Sequence, residues 1–277
     1  MSTKPNSSTD EHVLDPKDAS TEATEAPQPP DNVSIVFPGS NRIQVNNTTA
    51  YPFCTIGQFT MTFPNGKTYT GTGTLLDRNH VLTAAHNLYG NDVGGWARSV
   101  TFAAARNGNN YPYNSVAAAT IFVPEDYRFL SPPNPDDVPA NNIDYTQYLY
   151  DYGLVRLSSP VDAGVMRMHN PSDDELDARI FTVTGYPGDK PAGTMWGADG
   201  RLSGYAEEFL FYQISTYRGE SGSAVATLFD HLVNPQIPRI CGIHVAGSGR
   251  LGANFAVRLR DEVIEQIVSW GGSLDTD

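Results

Sequence analysis

The sequence "TYRGESGSAV", residues 216–225, places Ser221 in a short run of glycine and serine, directly after Arg218 and Glu220. Glycine permits sharp turns because no Cβ restricts its backbone. Two interpretations are open here: a turn that exposes a nucleophilic serine, or a surface loop, in which glycine and serine are common. A serine hydroxyl is a weak nucleophile unless a base and an orienting acid accompany it, so the rest of the chain decides between them.

Length, composition and charge limit the class of protein to which such a turn can belong. The chain has 277 residues, 39% of them hydrophobic, which is enough for a sizeable core in one large domain or two small ones. Its formal net charge of -13 argues against nucleic-acid or anionic-membrane partners, since both require basic surfaces. No apolar run reaches the roughly eighteen residues of a membrane span, and the amino terminus lacks the apolar centre of a signal peptide.

The chain changes character after its first 32 residues. Residues 1–32 are acidic, contain few large apolar side chains and end in "PQPP", so we expect a disordered tail. Short segments rich in β-branched and aromatic residues follow, separated by glycine, proline and asparagine, as in antiparallel sheets. About eleven such segments favour an all-β body of two antiparallel barrels, at about 50–160 and 178–258. Apolar periodicity predicts one C-terminal helix at about 260–271, and residues 129–142 are expected to form a long loop.

A base and an acid suited to Ser221 are present elsewhere in the chain. His86 ends "HVLTAAH", where an apolar strand gives way to small residues. Asp151 directly precedes the apolar strand "YGLVRL", where its carboxylate could be buried and accept an imidazole N–H. Asp144 is the alternative acid, although no apolar run follows it. An isolated histidine or aspartate in such a position is more often structural, so the prediction of catalysis depends on the combination of His86, Asp151 and Ser221.

The order His, Asp, Ser within an all-β chain argues against an α/β-hydrolase. That fold needs a G-x-S-x-G turn followed by its acid and then its histidine. Here Ser223 stands where the last glycine of that turn should be, and the alternating helices are missing.

Several motifs carry a family resemblance. "TAAH", "DYGLVRL" and "GESGSAV" resemble the three catalytic motifs of trypsin-like serine proteases, and "NTTAYP", "GYPGDK", "GTMW", "STYRGESGS" and "GIHVAG" resemble those of glutamyl endopeptidases. The resemblance runs from about Val33 to the carboxyl end. It implies a double β-barrel with the active site in the cleft between the barrels, and cleavage of peptide bonds after glutamate, less readily after aspartate.

The same resemblance implies roles for individual residues. Ser221 would be the nucleophile, His86 the base and Asp151 the orienting acid, with the amides of Gly219 and Ser221 as the oxyanion hole. His244, Thr216 and the α-amino group of a trimmed chain would bind the substrate carboxylate. Residues 1–32 would then be a propeptide, removed near Val33, Ser34 or Ile35, within a secreted precursor.

Three features depart from the family pattern. Arg218 stands where glycine is usual, and we hypothesise that its guanidinium adds donors for acidic substrates. Glu220 replaces an uncharged residue and might draw the new amino terminus away from the pocket. Cys54 and Cys241 could form one bridge between the barrels or remain as two buried thiols.

Neither a cofactor nor a metal is required by this mechanism, and none is predicted. A divalent ion bound by Asp136, Asp137 or Asp144 was considered and set aside, since the loop lacks calcium-site spacing. We expect a monomer whose partners are protein or peptide substrates. The alternatives are a trypsin-like protease of other specificity and a non-catalytic relative that binds a partner; the second typically loses a triad residue, and none is lost here.

Overall fold

The computed structural model describes residues 10–15, 34–130, 145–227, 237–249 and 251–273. Within these ranges the chain is built mostly of short strands, as the segments rich in β-branched and aromatic residues predicted. The strands are β1 Glu11–Val13, β2 Ile43–Gln44, β3 Ile56–Thr62, β4 Thr68–Leu75, β5 His80–Thr83, β6 Tyr89–Gly90, β7 Gly95–Trp96, β8 Ser99–Ala104, β9 Val116–Phe122, β10 Gly153–Leu157, β11 Arg167–Met168, β12 Phe181–Gly185, β13 Trp196–Gly200, β14 Leu202–Tyr205, β15 Phe209–Tyr212, β16 Ala224–Thr227, β17 Arg239–Ser248 and β18 Ala253–Arg258.

Helices are few and short in the described part of the chain. They are α1 Glu125–Leu130, α2 Asp173–Ala178 and α3 Asp261–Ser269, together with single 3-10 turns at Phe53–Thr55, Ala85–Asn87 and Tyr145–Tyr148. Ser172 caps α2 through a reciprocal pair of hydrogen bonds with Glu175. None of the described helices has the length and apolar character needed to cross a membrane.

Two large, mostly antiparallel sheets contain most of the described strands, and β6 and β7 pair in a separate two-stranded sheet. The first runs β1-β9-β10-β5-β4-β3-β8 and closes on itself because β8 also pairs with β9. The second runs β14-β15-β18-β17-β16-β12-β13-β2, with β11 added in parallel to β17. The predicted all-β architecture of two barrel-type sheets with a C-terminal helix is confirmed.

The described core has one apolar cluster inside each large sheet, a third between the two sheets and a small fourth cluster of Ile56, Tyr186 and Met195. Phe59 and Phe102 centre the first cluster, and Phe181 and Tyr212 the second. The third cluster joins side chains of both sheets to α3. The predicted apolar face of α3 buries Val263, Ile264 and Ile267 and leaves Val268 partly buried. Other large side chains of the third cluster include Leu82, Leu154, Ile243, Phe255 and Trp270. Burial of this apolar surface fixes the two sheets relative to each other and so positions the cleft between them.

The prediction that the whole of residues 1–32 is disordered is wrong for residues 10–15. These residues form β1 and its flanks, paired to β9, and Leu14 is buried in the first core cluster. Backbone pairing and one buried side chain offset the acidic composition on which the prediction rested. The loop expected at 129–142 lies outside the described residues except for Phe129 and Leu130, which end α1.

Both cysteines are free thiols. Cys54 lies in the 3-10 turn before β3, and Cys241 is fully buried in β17, where burial raises the pKa of its thiol to about 12. The second of the two alternatives therefore holds, and the thiols act as small apolar side chains.

Candidate active site

His86 and Asp151 are joined by two hydrogen bonds. The Nδ1 of His86 lies 2.7 Å from one carboxylate oxygen of Asp151, and the His86 backbone N–H donates to the other at 2.9 Å. Asp151 is 1% exposed, whereas the His86 side chain is 15% exposed. A buried carboxylate that holds both the ring and the backbone of a histidine sets its orientation and engages only one of its two ring nitrogens.

Two neighbouring elements of the first sheet produce this pair. β5 ends at Thr83, and the chain turns through the 3-10 segment Ala85–Asn87, which carries His86. β10 begins at Gly153 and pairs with β5 in the register Gly153↔Thr83. Asp151 therefore precedes β10 at the end of the sheet where β5 delivers His86. The alternative acid, Asp144, lies outside the described residues.

Ser221 belongs to the second sheet but is anchored on the first. Its carbonyl accepts hydrogen bonds from the amide of Thr72, in β4, and from the side chain of Asn87, next to His86, both at 2.9 Å. Gly222 follows with a φ of +86°, and a Cβ there would lie 2.2 Å from the hydroxyl of Thr83. Glycine at 222 is required by both its backbone conformation and this close approach.

The turn that precedes Ser221 presents two free amides. Gly219 has a φ of +97°, and a Cβ at this position would lie 2.4 Å from the carbonyl of Tyr186. The Gly219 carbonyl is held by the hydroxyl of Thr72 at 2.8 Å. Among the described residues, no acceptor is bonded to the amides of Gly219 and Ser221. A pair of unoccupied N–H groups beside a serine is the arrangement that stabilises an oxyanion.

A second polar site lies within the second sheet. His244, on β17, is fully buried, and its Nδ1 lies 2.7 Å from the hydroxyl of Tyr212. Burial, followed by the charge of His86, lowers the pKa of His244 to about 3, so the imidazole is neutral at pH 7. The hydroxyl of Thr216 is buried without any hydrogen-bond partner among the described residues. Such orphaned hydroxyls are costly, and they mark places where a ligand is expected to complete the bonding.

The segment from Ser34 to Phe37 runs along this polar site. The Ser34 hydroxyl lies 3.2 Å from Nε2 of His244, and the carbonyl of Ile35 accepts from the amide of Thr216 at 3.1 Å. Asn254 holds both backbone groups of Ile35: its Oδ1 accepts the N–H at 2.7 Å, and its Nδ2 donates to the carbonyl at 2.8 Å. Two of the three predicted termini, Ser34 and Ile35, thus lie at the site, while Val33 is outside the described residues.

Glu220 is engaged by a cation that the sequence analysis did not identify. Its carboxylate is 1% exposed, accepts the amide of Tyr217 at 2.7 Å and lies 3.9 Å from Nη1 of Arg42. Arg42 also makes two hydrogen bonds to Asp189, at 2.6 and 2.9 Å. Burial raises the pKa of Glu220 to about 8, against the opposing effects of the Tyr217 amide and Arg42. In this structure the partner of Glu220 is Arg42 and not a chain terminus.

Of the three side chains Glu220, Arg42 and Asp189, the sequence motifs include Asp189 but not Arg42. Asp189 lies in "GYPGDK", a motif that supports the family resemblance, whereas Arg42 follows no recognised pattern. Arg218, beside them, is half-buried, and its carbonyl accepts the amide of Gly188 at 2.7 Å.

Comparisons with known proteins agree with this architecture. Residues 71–233 match the model of the trypsin-like peptidase domain. A glutamyl endopeptidase from Bacillus licheniformis is 30% identical over 246 residues, which cover 88% of this chain and 71% of the relative. An "extracellular metalloprotease" from Bacillus subtilis is 30% identical over 251 residues, covering 86% and 72%.

The fold has solved counterparts. A Glu endopeptidase in complex with MPD superimposes with a TM-score of 0.69 at 22% identity, covering 86% of this chain and all of the other. At that identity the likeness concerns the fold alone. The described residues contain no group of three or more histidine, cysteine or acidic side chains placed to hold a metal ion, and the loop aspartates Asp136, Asp137 and Asp144 lie outside them.

The fold and the domain match define a trypsin-like serine endopeptidase, an enzyme whose substrates are proteins or peptides. Within that class, the chain belongs to the glutamyl endopeptidase family.

The Arg42–Glu220 contact generates a stability prediction. In urea unfolding at pH 9, above the raised pKa of Glu220, Arg42→Met leaves the buried carboxylate without its cation and should lower the free energy of unfolding by about 3 kcal/mol. Glu220→Gln removes the charge that needs the cation, so the double variant should be more stable than the sum of the two single losses predicts. Urea unfolding of the four proteins measures this coupling. Strict additivity would show that the two side chains do not interact.

Proposed function

We propose that the chain cleaves peptide bonds after acidic residues, preferring glutamate, by a Ser221–His86–Asp151 triad. The observation that supports this best is the buried hydroxyl of Thr216, which has no hydrogen-bond partner among the described residues, together with the neutral, buried His244. The backbone amide of Thr216 donates to Ile35, and the ring of His244 contacts the adjacent Ser34. A carboxylate in this pocket would give the threonine an acceptor and would receive an imidazole N–H from His244.

The chemistry follows from the geometry of the cleft. His86, oriented by Asp151, takes the proton of the Ser221 hydroxyl as oxygen attacks the scissile carbonyl. The developing oxyanion accepts from the amides of Gly219 and Ser221, each worth on the order of 3 kcal/mol. His86 then protonates the leaving amine, and water hydrolyses the acyl-enzyme by the same path.

A neutral His244 suits the pocket because it needs no counter-ion before substrate arrives. With the Tyr212 hydroxyl donating to Nδ1, the proton of the imidazole resides on Nε2, the nitrogen that Ser34 contacts. Binding of an anionic side chain would favour protonation of the ring. His244 would therefore become positively charged only when the pocket holds a carboxylate.

Activation is proposed to occur by a cut immediately before Ile35. This cut removes the Ser34 hydroxyl from Nε2 of His244 and leaves a new ammonium group at the Ile35 nitrogen, 2.7 Å from Oδ1 of Asn254. The Glu220 carboxylate, already held by Arg42 and the Tyr217 amide, would not need to capture that terminus. We also propose that the enzyme is secreted and monomeric; the name of the B. subtilis relative describes that protein as extracellular.

The triad is tested by a panel of fluorogenic peptides that differ only in the residue before the cleaved bond. The activated wild-type chain should cleave the glutamate peptide best, then aspartate. Ser221→Ala should lose on the order of 10⁵-fold or more in kcat, because the nucleophile is gone. Ser223→Ala, two residues away, is the matched control and should retain activity. An activated wild type that cleaves none of the peptides would favour a non-catalytic binder, and cleavage after other residues would favour another specificity.

The pocket is tested by Thr216→Val, which replaces an unpaired buried hydroxyl with a methyl group. The glutamate peptide should lose about 10- to 100-fold in kcat/KM, while a glutamine peptide changes little. The free energy of unfolding should not fall, since no hydrogen bond is lost in the free enzyme. Thr74→Val makes the same change at another buried, unpartnered threonine and should leave specificity intact.

The role of Arg218 is tested in the same assay. Arg218→Gly restores the usual residue of the family and should raise KM for the glutamate peptide about threefold, because a half-buried charge that water still screens contributes little. The KM for the glutamine peptide should stay constant. An unchanged KM and an unchanged preference for glutamate would show that Arg218 takes no part in recognition.

The activation site is tested by sequencing the amino terminus of active enzyme. We expect Ile35 as the first residue and a gain of activity that parallels its appearance. Acetylation of that terminus should weaken cleavage after glutamate. Full activity in a chain that still begins before residue 33 would contradict this mode of activation.

A further inference from the structure

Strand β1 fills a gap that the first sheet would otherwise leave open. β9 pairs with β10 along one side, but on its other side β8 reaches only Val116 and Ala117. β1 continues that side, in the register Glu11↔Phe122, His12↔Ile121 and Val13↔Thr120. Unpaired backbone at a sheet edge is a ready template for another strand. Here the added strand comes from the segment upstream of the proposed activation cut.

Hydrogen bonds extend the pairing at both ends of β1. The amide of Leu14 donates to the carbonyl of Ala119, and the amide of Val123 donates to the carbonyl of Asp10, both at 3.0 Å. The bound segment therefore covers β9 from residue 119 to residue 123. Main-chain bonds of this type bind extended peptides in strand-addition complexes.

Two side chains anchor the strand on the first sheet. Leu14 is 7% exposed and packs within the first core cluster, whereas the adjacent Val13 is 68% exposed. The ring of His12 stacks on Trp96 with centroids 5.1 Å apart. Burial of a leucine side chain is strongly favourable, so Leu14 contributes a large part of the binding energy of so short a segment.

Asp10 ties the segment to the C-terminal helix as well. Its Oδ2 accepts from Nε1 of Trp270 and from Nε2 of Gln266, each at 3.2 Å, and its Oδ1 accepts from the amide of Glu125 at 2.9 Å. Three donors for one carboxylate make a specific polar anchor. Because Trp270 and Gln266 belong to the end of α3, the segment joins β9 to the helix that packs between the two sheets.

We propose that residues 10–15 form a docking strand that remains bound to β9 after the chain is cut, so that the activated enzyme consists of two associated chains. This inference depends on the proposed activation in one respect, which is that the chain is cut between residues 15 and 35. The docking contacts described above are made by residues 10–15 with Trp96, β9, the start of α1 and α3, and none involves residues 34–37. A cut before Ile35 leaves them intact.

The experiment uses the full-length chain with Ser221→Ala, so that its outcome does not depend on the activity or specificity of the enzyme. A recognition sequence for an external site-specific protease replaces residues 20–26, and the folded protein is cut there. Size-exclusion chromatography and native mass spectrometry should find the amino-terminal fragment associated with the main body. Chasing with an excess of a synthetic peptide of residues 8–17 then measures the dissociation rate.

Matched variants identify the contacts responsible. Leu14→Ser should accelerate dissociation at least about tenfold, because it removes buried apolar surface. Val13→Ser, on the exposed neighbour, should change the rate less than about threefold, and Asp10→Ala should accelerate it. Release of the wild-type fragment within the time of the first chromatographic run would overturn the proposal. Equal dissociation rates for the Leu14→Ser and Val13→Ser fragments would also overturn the proposal, because the fragment would then not be held by the observed burial of Leu14.

Discussion

The carbonyl of Ser221 is the point at which the two sheets are joined at the cleft. The amide of Thr72 and the side chain of Asn87, both from the first sheet, donate to this one oxygen of the second. Asn87 is the neighbour of His86, so the bonds that hold the serine also hold the segment that carries the histidine. A serine and an imidazole on separate sheets can act together only if their spacing is fixed to a fraction of an ångström. These bonds, supported by the apolar cluster between the sheets, provide that constraint.

The turn before Ser221 is shaped by buried polar groups. Thr72 receives the amide of Tyr186 and donates to the carbonyl of Gly219, and Glu220 accepts the amide of Tyr217. The carboxylate of Glu220 is stabilised in turn by Arg42, which Asp189 holds from the other side. Chains of buried hydrogen bonds of this kind hold a turn in one conformation, since breaking any of them leaves a buried group unsatisfied. These bonds therefore fix the turn that carries the amides of Gly219 and Ser221.

The amino-terminal part of the chain is bound at two separate places. Residues 10–15 pair with β9 of the first sheet, while residues 35–44 lie against the second, through Asn254, Ser215 and the pairing of β2 with β13. The proposed cut falls between these two segments. Each therefore keeps its own contacts when the connection is lost, and the change at the pocket is confined to Ser34, Ile35 and His244.

The sequence by itself determined the all-β class, the C-terminal helix and the family. Segments rich in β-branched and aromatic residues, the apolar periodicity of a helix and contiguous motifs are all local patterns. It also singled out His86 and Asp151, which the fold pairs at 2.7 Å. The tertiary structure alone decided the contact of Arg42 with Glu220, the clamp of Asn254 on Ile35 and the docking of residues 10–15. Each of these contacts joins segments that are far apart in the chain. For residues 10–15, the acidic composition of the segment had favoured disorder. Long-range contacts of this kind depend on which surfaces folding brings together, and no local pattern records them.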